Sequence, residues 1–209
     1  MVQLQQAWEQ LLQTFEVNQE QVQATYGALV AAYNSPGRFY HTLEHIRSVL
    51  VCLEELREQA VDYPTLQLAA WFHDSIYDPR ASDNEEQSAL YMQRLLTGLE
   101  LPVHVLQDAS SMILCTKTHL VEDNRDDSSL LQDADLAILG ATVQEYETYA
   151  LAIRQEYAWV PEPAYRSGRV QVLRTFLQRE RIYWTASLYT HLEARARENL
   201  RREVASFSV

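Results

Sequence analysis

The chain has 209 residues, of which 47% are hydrophobic and 22% charged, a balance that excludes a disordered protein and suits one ordinary domain with its own core. Its formal net charge is −12, so like-charge repulsion argues against polymeric nucleic acid and anionic membranes as partners. Only five glycines and six prolines occur, which favours helices over a turn-rich β architecture.

Apolar residues recur at helical spacing along almost the whole chain, and no segment shows the sustained period-two alternation of a strand. Pro36 and Gly37 interrupt the pattern, and the segment 62–64 is expected to separate two helices. Pro79 ends the most apolar segment, 66–78, which we expect to be a central buried helix. The sequence therefore predicts an all-α bundle of eight to ten helices. In chain order they are expected at about 4–15, 22–33, 41–59, 66–78, 80–96, 102–119, 127–139, 142–158, 165–179 and 188–205.

The predicted loops at 120–127 and 160–164 are too short to be domain linkers. We therefore expect a single multi-helix domain over residues 1–209, with core motifs at about 40–140 and the C-terminal helices 142–205 packed on them. The apolar stripe of those C-terminal helices fits a homodimer interface as well as a core.

The N-terminal segment lacks the basic region and continuous apolar core of a signal peptide, and no apolar run approaches the ~20 residues of a membrane helix. These features predict a soluble, cytoplasmic protein. Cys52 and Cys115, the two cysteines, are far apart and lie in apolar helical patterns. They are expected to be buried structural thiols rather than disulfide partners or nucleophiles.

The first of three polar clusters is YHTLEHI, at 40–46. His41 and His45 are four residues apart, so on a helix they project from the same face, beside an apolar stripe. A lone histidine in such a place is usually a satisfied core residue. A pair at this spacing indicates either that role or a ligand or acid–base function.

The second cluster is His73-Asp74, which follows the apolar segment LQLAAWF. Burying an ionised aspartate there costs several kcal/mol unless it is paired or bound to a metal. Adjacent side chains on a helix diverge by about 100°, so both reach one ion only near a helix end or distortion. The alternative is that His73 and Asp74 pair with other side chains.

The third cluster is DADLAIL, in which Asp133 and Asp135 precede an apolar run. One aspartate could cap the N-terminus of a helix, while capping alone would not need both. Together, the histidines and aspartates of the three clusters form a mixed nitrogen and oxygen ligand set. Such a set suits a divalent Mn, Fe, Zn, Ni or Mg ion and argues against a thiolate zinc site.

The order His, His-Asp, Asp resembles that of the HD superfamily of metal-dependent phosphohydrolases. The resemblance extends to a small bacterial branch of predicted HD phosphohydrolases and covers the chain from about Tyr40 to Trp184. It rests on YHTLEHI, FHDSIYDP, DNEEQSA, DADLAILG and the C-terminal pattern of Tyr165, Gly168 and Arg169. It implies an HD-type helical fold and hydrolysis of a phosphate ester of a small molecule such as a nucleotide.

The resemblance also implies site residues. His45, His73, Asp74 and Asp135 would hold one divalent metal ion, with a second ion as the alternative, and Asp74 or Asp135 would orient the attacking water. YHTLEHI also resembles the Tyr-His-Asn-x-x-His motif of cyclic-nucleotide phosphodiesterases, which would make His41 the general acid. Thr42 stands here in place of that asparagine.

Four further residues have two interpretations each. His119 lies where some HD proteins place an extra histidine that supports a second metal or contacts phosphate, or it is a surface residue at a helix C-terminus. Glu85 could act as a base through a metal-bound water, or be a first-turn acid. Arg166 and Arg169 could bind phosphate or belong to a solvated helix face.

Two other functional classes stay open. Some HD proteins bind two irons and oxidise their substrates with O2, which here would need an extra ligand such as His119. A metal-binding or ligand-binding module without turnover is the third class.

Overall fold

The structure, a computed structural model, describes residues 4–118 and 127–207, and within these ranges every regular element is a helix. The predicted all-α, multi-helix fold is confirmed. Short 3-10 helices follow α3 and α7, at Arg57–Gln59 and Ala137–Gly140. The α-helices are α1 (Leu4–Gln13), α2 (Gln19–Tyr33), α3 (Leu43–Glu55), α4 (Tyr63–Phe72), α5 (Asn84–Leu96), α6 (Val103–Cys115), α7 (Ser128–Leu136), α8 (Val143–Glu156), α9 (Glu162–Gln178) and α10 (Ala186–Ser206).

The chain divides into two compact units, Met1–Ala134 and Asp135–Val209, with the boundary inside α7. The expectation of a single domain with the C-terminal helices packed on its core stays a prediction. None of the helices in the described ranges combines the length and apolar character needed to cross a membrane.

Helix α4 is the centre of the first unit and contacts α1, α3, α5 and α6. Its sequence is apolar on every face, so a stable position for it is one surrounded by other helices. From Leu68 to Phe72 its side chains are fully buried. Trp8 of α1 packs edge-on against Trp71, with ring centroids 5.4 Å apart, and donates its indole N–H to Thr25. The predicted central buried helix is therefore present.

The two ends of α4 differ from the prediction. The helix begins at Tyr63, because Asp62 accepts a hydrogen bond from the Thr65 N–H and Pro64 stands in the first turn, where its missing N–H costs nothing. It ends at Phe72 rather than near 78. The Ser75 hydroxyl donates to the Phe72 carbonyl at 2.8 Å, a local side-chain bond that competes with helix continuation.

In the second unit, α10 packs on the 3-10 helix Ala137–Gly140 and on α9. Asn199 of α10 donates to the carbonyls of Leu139 and Ala141. Arg169 of α9 forms a buried ion pair with Glu203 of α10. Both contacts join helices that are distant in sequence, and they use polar groups that would be costly to bury alone.

The two cysteines are unbridged, as predicted, but each is half-buried rather than buried. Partial burial still disfavours the thiolate and, together with Glu55 and Asp133, raises the pKa of Cys52 to about 12. This thiol is therefore protonated at neutral pH.

Candidate metal centre

His45 enters the site from the first turn of α3. Thr42 caps this helix by accepting a hydrogen bond from the Glu44 N–H, and the helix then begins at Leu43. His45 is 5% exposed and lies on the buried face with Ile46. His41 precedes the helix, so the prediction that His41 and His45 share a helix face is wrong. The cap at Thr42 is the physical reason.

His73 and Asp74 lie just beyond the C-terminus of α4. His73 is 1% exposed, and its Nδ1 is 2.9 Å from the carbonyl oxygen of Ala70. A carbonyl can only accept, so this contact keeps a proton on Nδ1, and Nε2 is the ring nitrogen that faces the other candidate ligands. Because the helix has already ended, the adjacent Asp74 can turn toward the same point, as its position in the sequence suggested.

Asp135 enters from α7, a helix that begins at Ser128 in the first unit. The interpretation of Asp133 or Asp135 as an N-cap is therefore wrong: both lie beyond the first turn of α7, and Asp135 is one residue before its end at Leu136. Asp133 is fully buried, whereas Asp135 is half-buried.

Four side chains bring one ligand atom each to a common point: His45, His73, Asp74 and Asp135. These atoms all lie within 4.8 Å of one another, and in the described ranges no other group of three or more potential ligands does so. The Nε2 atoms of His45 and His73 are 3.2 Å apart, and Asp74 Oδ2 lies 3.4 Å and 3.1 Å from them.

The three separations among His45, His73 and Asp74 are those expected around one ion. Two atoms that each lie about 2.1 Å from a metal are about 3.0 Å apart at a right angle and about 3.4 Å apart at the tetrahedral angle. The donor set of two imidazoles and two carboxylates suits a divalent transition metal. The residues present therefore fit the metal that the sequence predicts.

The electrostatics of Asp74 favour its charged form. Burial alone would raise the pKa of its carboxyl, but the charges of His73 and His41, with hydrogen bonds from His45 and His73, outweigh burial and hold that pKa well below its usual range. The carboxylate is ionised at neutral pH, which is the state that a metal ligand requires.

His41 lies beside these ligands without being one of them. Its ring stacks on that of Tyr77, with centroids 4.0 Å apart and planes inclined by 26°, and its centroid is 6.1 Å from that of His45. Tyr40 packs against His45 at 4.7 Å. This position is compatible with a group that exchanges a proton near the metal, and the role of general acid stays a prediction.

The remaining predicted site residues are not part of the ligand group. Glu85 lies half-buried in the first turn of α5. Arg166 is exposed and donates to Glu162, whereas Arg169 is buried and donates through two nitrogens to both carboxylate oxygens of Glu203. Their functions stay predictions, and His119 lies outside the described residues.

Two residues near the ligands were missed by sequence reasoning. Arg38 donates to the backbone of both His41 and Asp74. Gln132, 1% exposed, has both polar atoms of its amide buried without a partner. It stands one turn before Asp135 on the same face of α7, and that spacing in QDAD was the signal that could have found it.

No family model, curated protein or solved structure matches the chain. The resemblance to HD phosphohydrolases therefore stays a prediction.

Proposed function

We propose that the chain is a metal-dependent phosphohydrolase that cleaves a phosphate ester of a small molecule. The observation that carries the proposal is that His45, His73, Asp74 and Asp135 each bring a ligand atom within 4.8 Å of the others, with separations of 3.1–3.4 Å among the first three. These residues would hold a single divalent ion. When bound, the ion would supply a Lewis acid for the phosphoryl oxygens and a water of lowered pKa.

Charge supports a phosphate ester as the substrate. The chain has a net charge of −12, so an anionic molecule needs a local reversal of the potential in order to bind. A divalent cation at the four ligands would provide that reversal. Asp74 and Asp135 would keep the ion in place and offer carboxylate oxygens that orient a water.

A proton for the leaving group would come from His41. Its position beside the ligands, stacked on Tyr77, restricts the imidazole to a small range of orientations. An imidazole so placed would give a proton to a departing alkoxide, and general-acid catalysis of this kind contributes about 10²- to 10⁴-fold in rate. The acid would thus stand next to the metal without occupying one of its coordination positions.

The proposal is tested by hydrolysis of p-nitrophenyl phosphate and bis(p-nitrophenyl) phosphate by protein loaded with Mn²⁺, Zn²⁺, Ni²⁺ or Fe²⁺. We expect turnover by the unmodified chain and none by Asp74→Ala. His191→Ala, which alters an exposed histidine of α10, is the matched control and should retain full activity. Retained turnover in Asp74→Ala would refute the assignment.

The same preparations distinguish the two other classes. Two bound irons with consumption of O2 and no ester hydrolysis would indicate an oxygenase. Tight metal binding without turnover of any phosphate ester or O2 would indicate a binding module. Either result would replace the proposed activity while leaving the metal site intact.

A further inference from the structure

The guanidinium of Arg38 connects the two chain segments that carry the candidate ligands. Its Nη1 donates to the carbonyl oxygens of His41 and Asp74 at 2.9 Å and 2.7 Å, and its Nη2 donates to that of Ser75 at 2.8 Å. Its Nε donates to the Ser35 hydroxyl at 2.9 Å. One half-buried side chain therefore bonds the segment before α3 to the segment after α4.

The acceptors explain why an arginine is needed here. The chain leaves α4 at Phe72, so the carbonyls of Asp74 and Ser75 point beyond the helix and have no helical N–H to accept from. A guanidinium is a rigid planar fork that can reach two or three carbonyls at once, whereas an ammonium is a single point on a flexible stem. Gly37, with φ of +90°, makes the turn that delivers Arg38 to this place.

Aromatic rings hold the guanidinium in this plane. It lies 5.2 Å from the ring centroid of Tyr33 and 5.7 Å from that of Tyr77. Tyr77 in turn stacks on His41. Arg38 is thus linked to His41 in two ways. It donates to the His41 carbonyl, and it lies near the Tyr77 ring on which the His41 imidazole stacks.

We propose that Arg38 is the positioning residue of the metal centre, which sets the distance between the α3 side of the site, with His41 and His45, and the α4 side, with His73 and Asp74. The inference rests on the proposed metal site and adds to it a residue that donates to the backbone of the segments that carry the candidate ligands. Without the fork, Asp74 would keep its carboxylate, but the two segments would lose the shared bonds that help to hold Asp74 Oδ2 3.4 Å from His45 Nε2.

The test is a titration of the metal-free full chain with Co²⁺, followed by visible absorption. Arg38→Lys keeps the charge and loses the fork, and Arg38→Gln loses both. We expect Arg38→Lys to weaken Co²⁺ binding by about ten- to a hundredfold, the range typical of residues that orient metal ligands. The absorption bands of its saturated complex should also shift, because they report the coordination geometry.

Arg197→Lys is the matched control, because this arginine also donates to three backbone carbonyls, those of Leu177, Arg179 and Glu180, and lies in the second unit. It should leave Co²⁺ affinity and spectrum unchanged. The titrations are carried out at a temperature at which circular dichroism shows that all variants are folded. Should the Arg38 variants not fold, Ser35→Ala removes only the bond to Nε, and a smaller loss of affinity is then expected.

The outcomes separate this inference from the proposed function. Unchanged affinity and spectrum in Arg38→Lys, or in Ser35→Ala where that variant is used, would overturn the positioning role while the metal site stands. An equal loss in Arg197→Lys would also overturn it, since general destabilisation would then explain the effect. Failure of the unmodified chain to bind Co²⁺ would overturn the metal site and this inference with it.

Discussion

The roles of individual residues in this site follow from where the backbone leaves its helices. His73 and Asp74 can both face one point because α4 ends at Phe72, and His41 stands apart from His45 because Thr42 caps α3. The ligands are thereby separated from the candidate proton donor. Metal binding and proton transfer should therefore respond differently to substitution.

The substitution His41→Gln tests that separation. With an alkyl phosphate ester as substrate, we expect kcat to fall about 10²- to 10⁴-fold, because the basic alkoxide would depart without a proton. The bound metal should stay at the level of the unmodified chain, since His41 is not among the four ligands. Parallel measurement of kcat and metal content checks both. Loss of the metal together with activity would mean that His41 is a ligand.

The buried amide of Gln132 leads to a prediction about the stability of the fold. This amide has no partner, and a buried polar group without one costs about 1–3 kcal/mol. Gln132→Met keeps a similar volume without the amide, so we expect the free energy of unfolding to rise by about 1 kcal/mol. Urea denaturation measures this free energy, and Gln144→Met, at an exposed glutamine, is the control. A lower stability would show that water or a ligand normally satisfies the amide.

At the scale of the elements, the sequence predicted which helices exist better than where they end. The apolar run in α4 marked a buried helix, and its position in the first unit agrees. Where it ends, at Phe72, the Ser75 hydroxyl donates to the Phe72 carbonyl, a local bond that hydrophobic periodicity does not reveal. The helix predicted at about 127–139 is present as α7, which begins at Ser128, and this start excludes Asp133 and Asp135 as its N-cap.

The grouping of the four candidate ligands could be predicted from the sequence, and the contacts that support them could not. Histidine and aspartate types at His45 and His73-Asp74 indicated a metal through their chemistry. The contacts of Arg38 could not be predicted in this way, because its partners are backbone carbonyls, which every residue has. Contacts of that kind become apparent only when the path of the chain is known.

Gly140 shows how closely two elements of the second unit approach. A Cβ built there would lie 2.6 Å from the Cβ of Leu192 and 3.0 Å from the hydroxyl of Tyr183. Gly140→Ala should therefore lower the free energy of unfolding by about 1–3 kcal/mol, because the 3-10 helix and α10 must move apart. Thermal denaturation measures the effect.

Gly27→Ala provides the comparison for that experiment. Gly27 lies inside α2, and a Cβ there meets nothing within 4 Å. Alanine is the better helix former by about 1 kcal/mol, so this variant should be more stable than the unmodified chain. Stability changes of the same sign in the two variants would contradict the proposed close packing at Gly140.

At the scale of the whole molecule, the acidic charge and the ligand group belong to one explanation. A chain with 29 acidic and 17 basic residues carries a net negative charge that disfavours the approach of anions. A bound divalent ion would make one place attractive to a phosphate. The central claim is therefore that the chain binds a metal, since substrate choice and chemistry both depend on it.

The most direct test is the metal content of the freshly purified full chain, measured by mass spectrometry beside His73→Ala and the control His191→Ala. We expect about one Mn, Fe, Zn or Ni ion per chain, retained in His191→Ala and lost in His73→Ala, with circular dichroism showing that all three are helical. No stoichiometric metal in the unmodified chain, even after anaerobic reconstitution, would contradict the account.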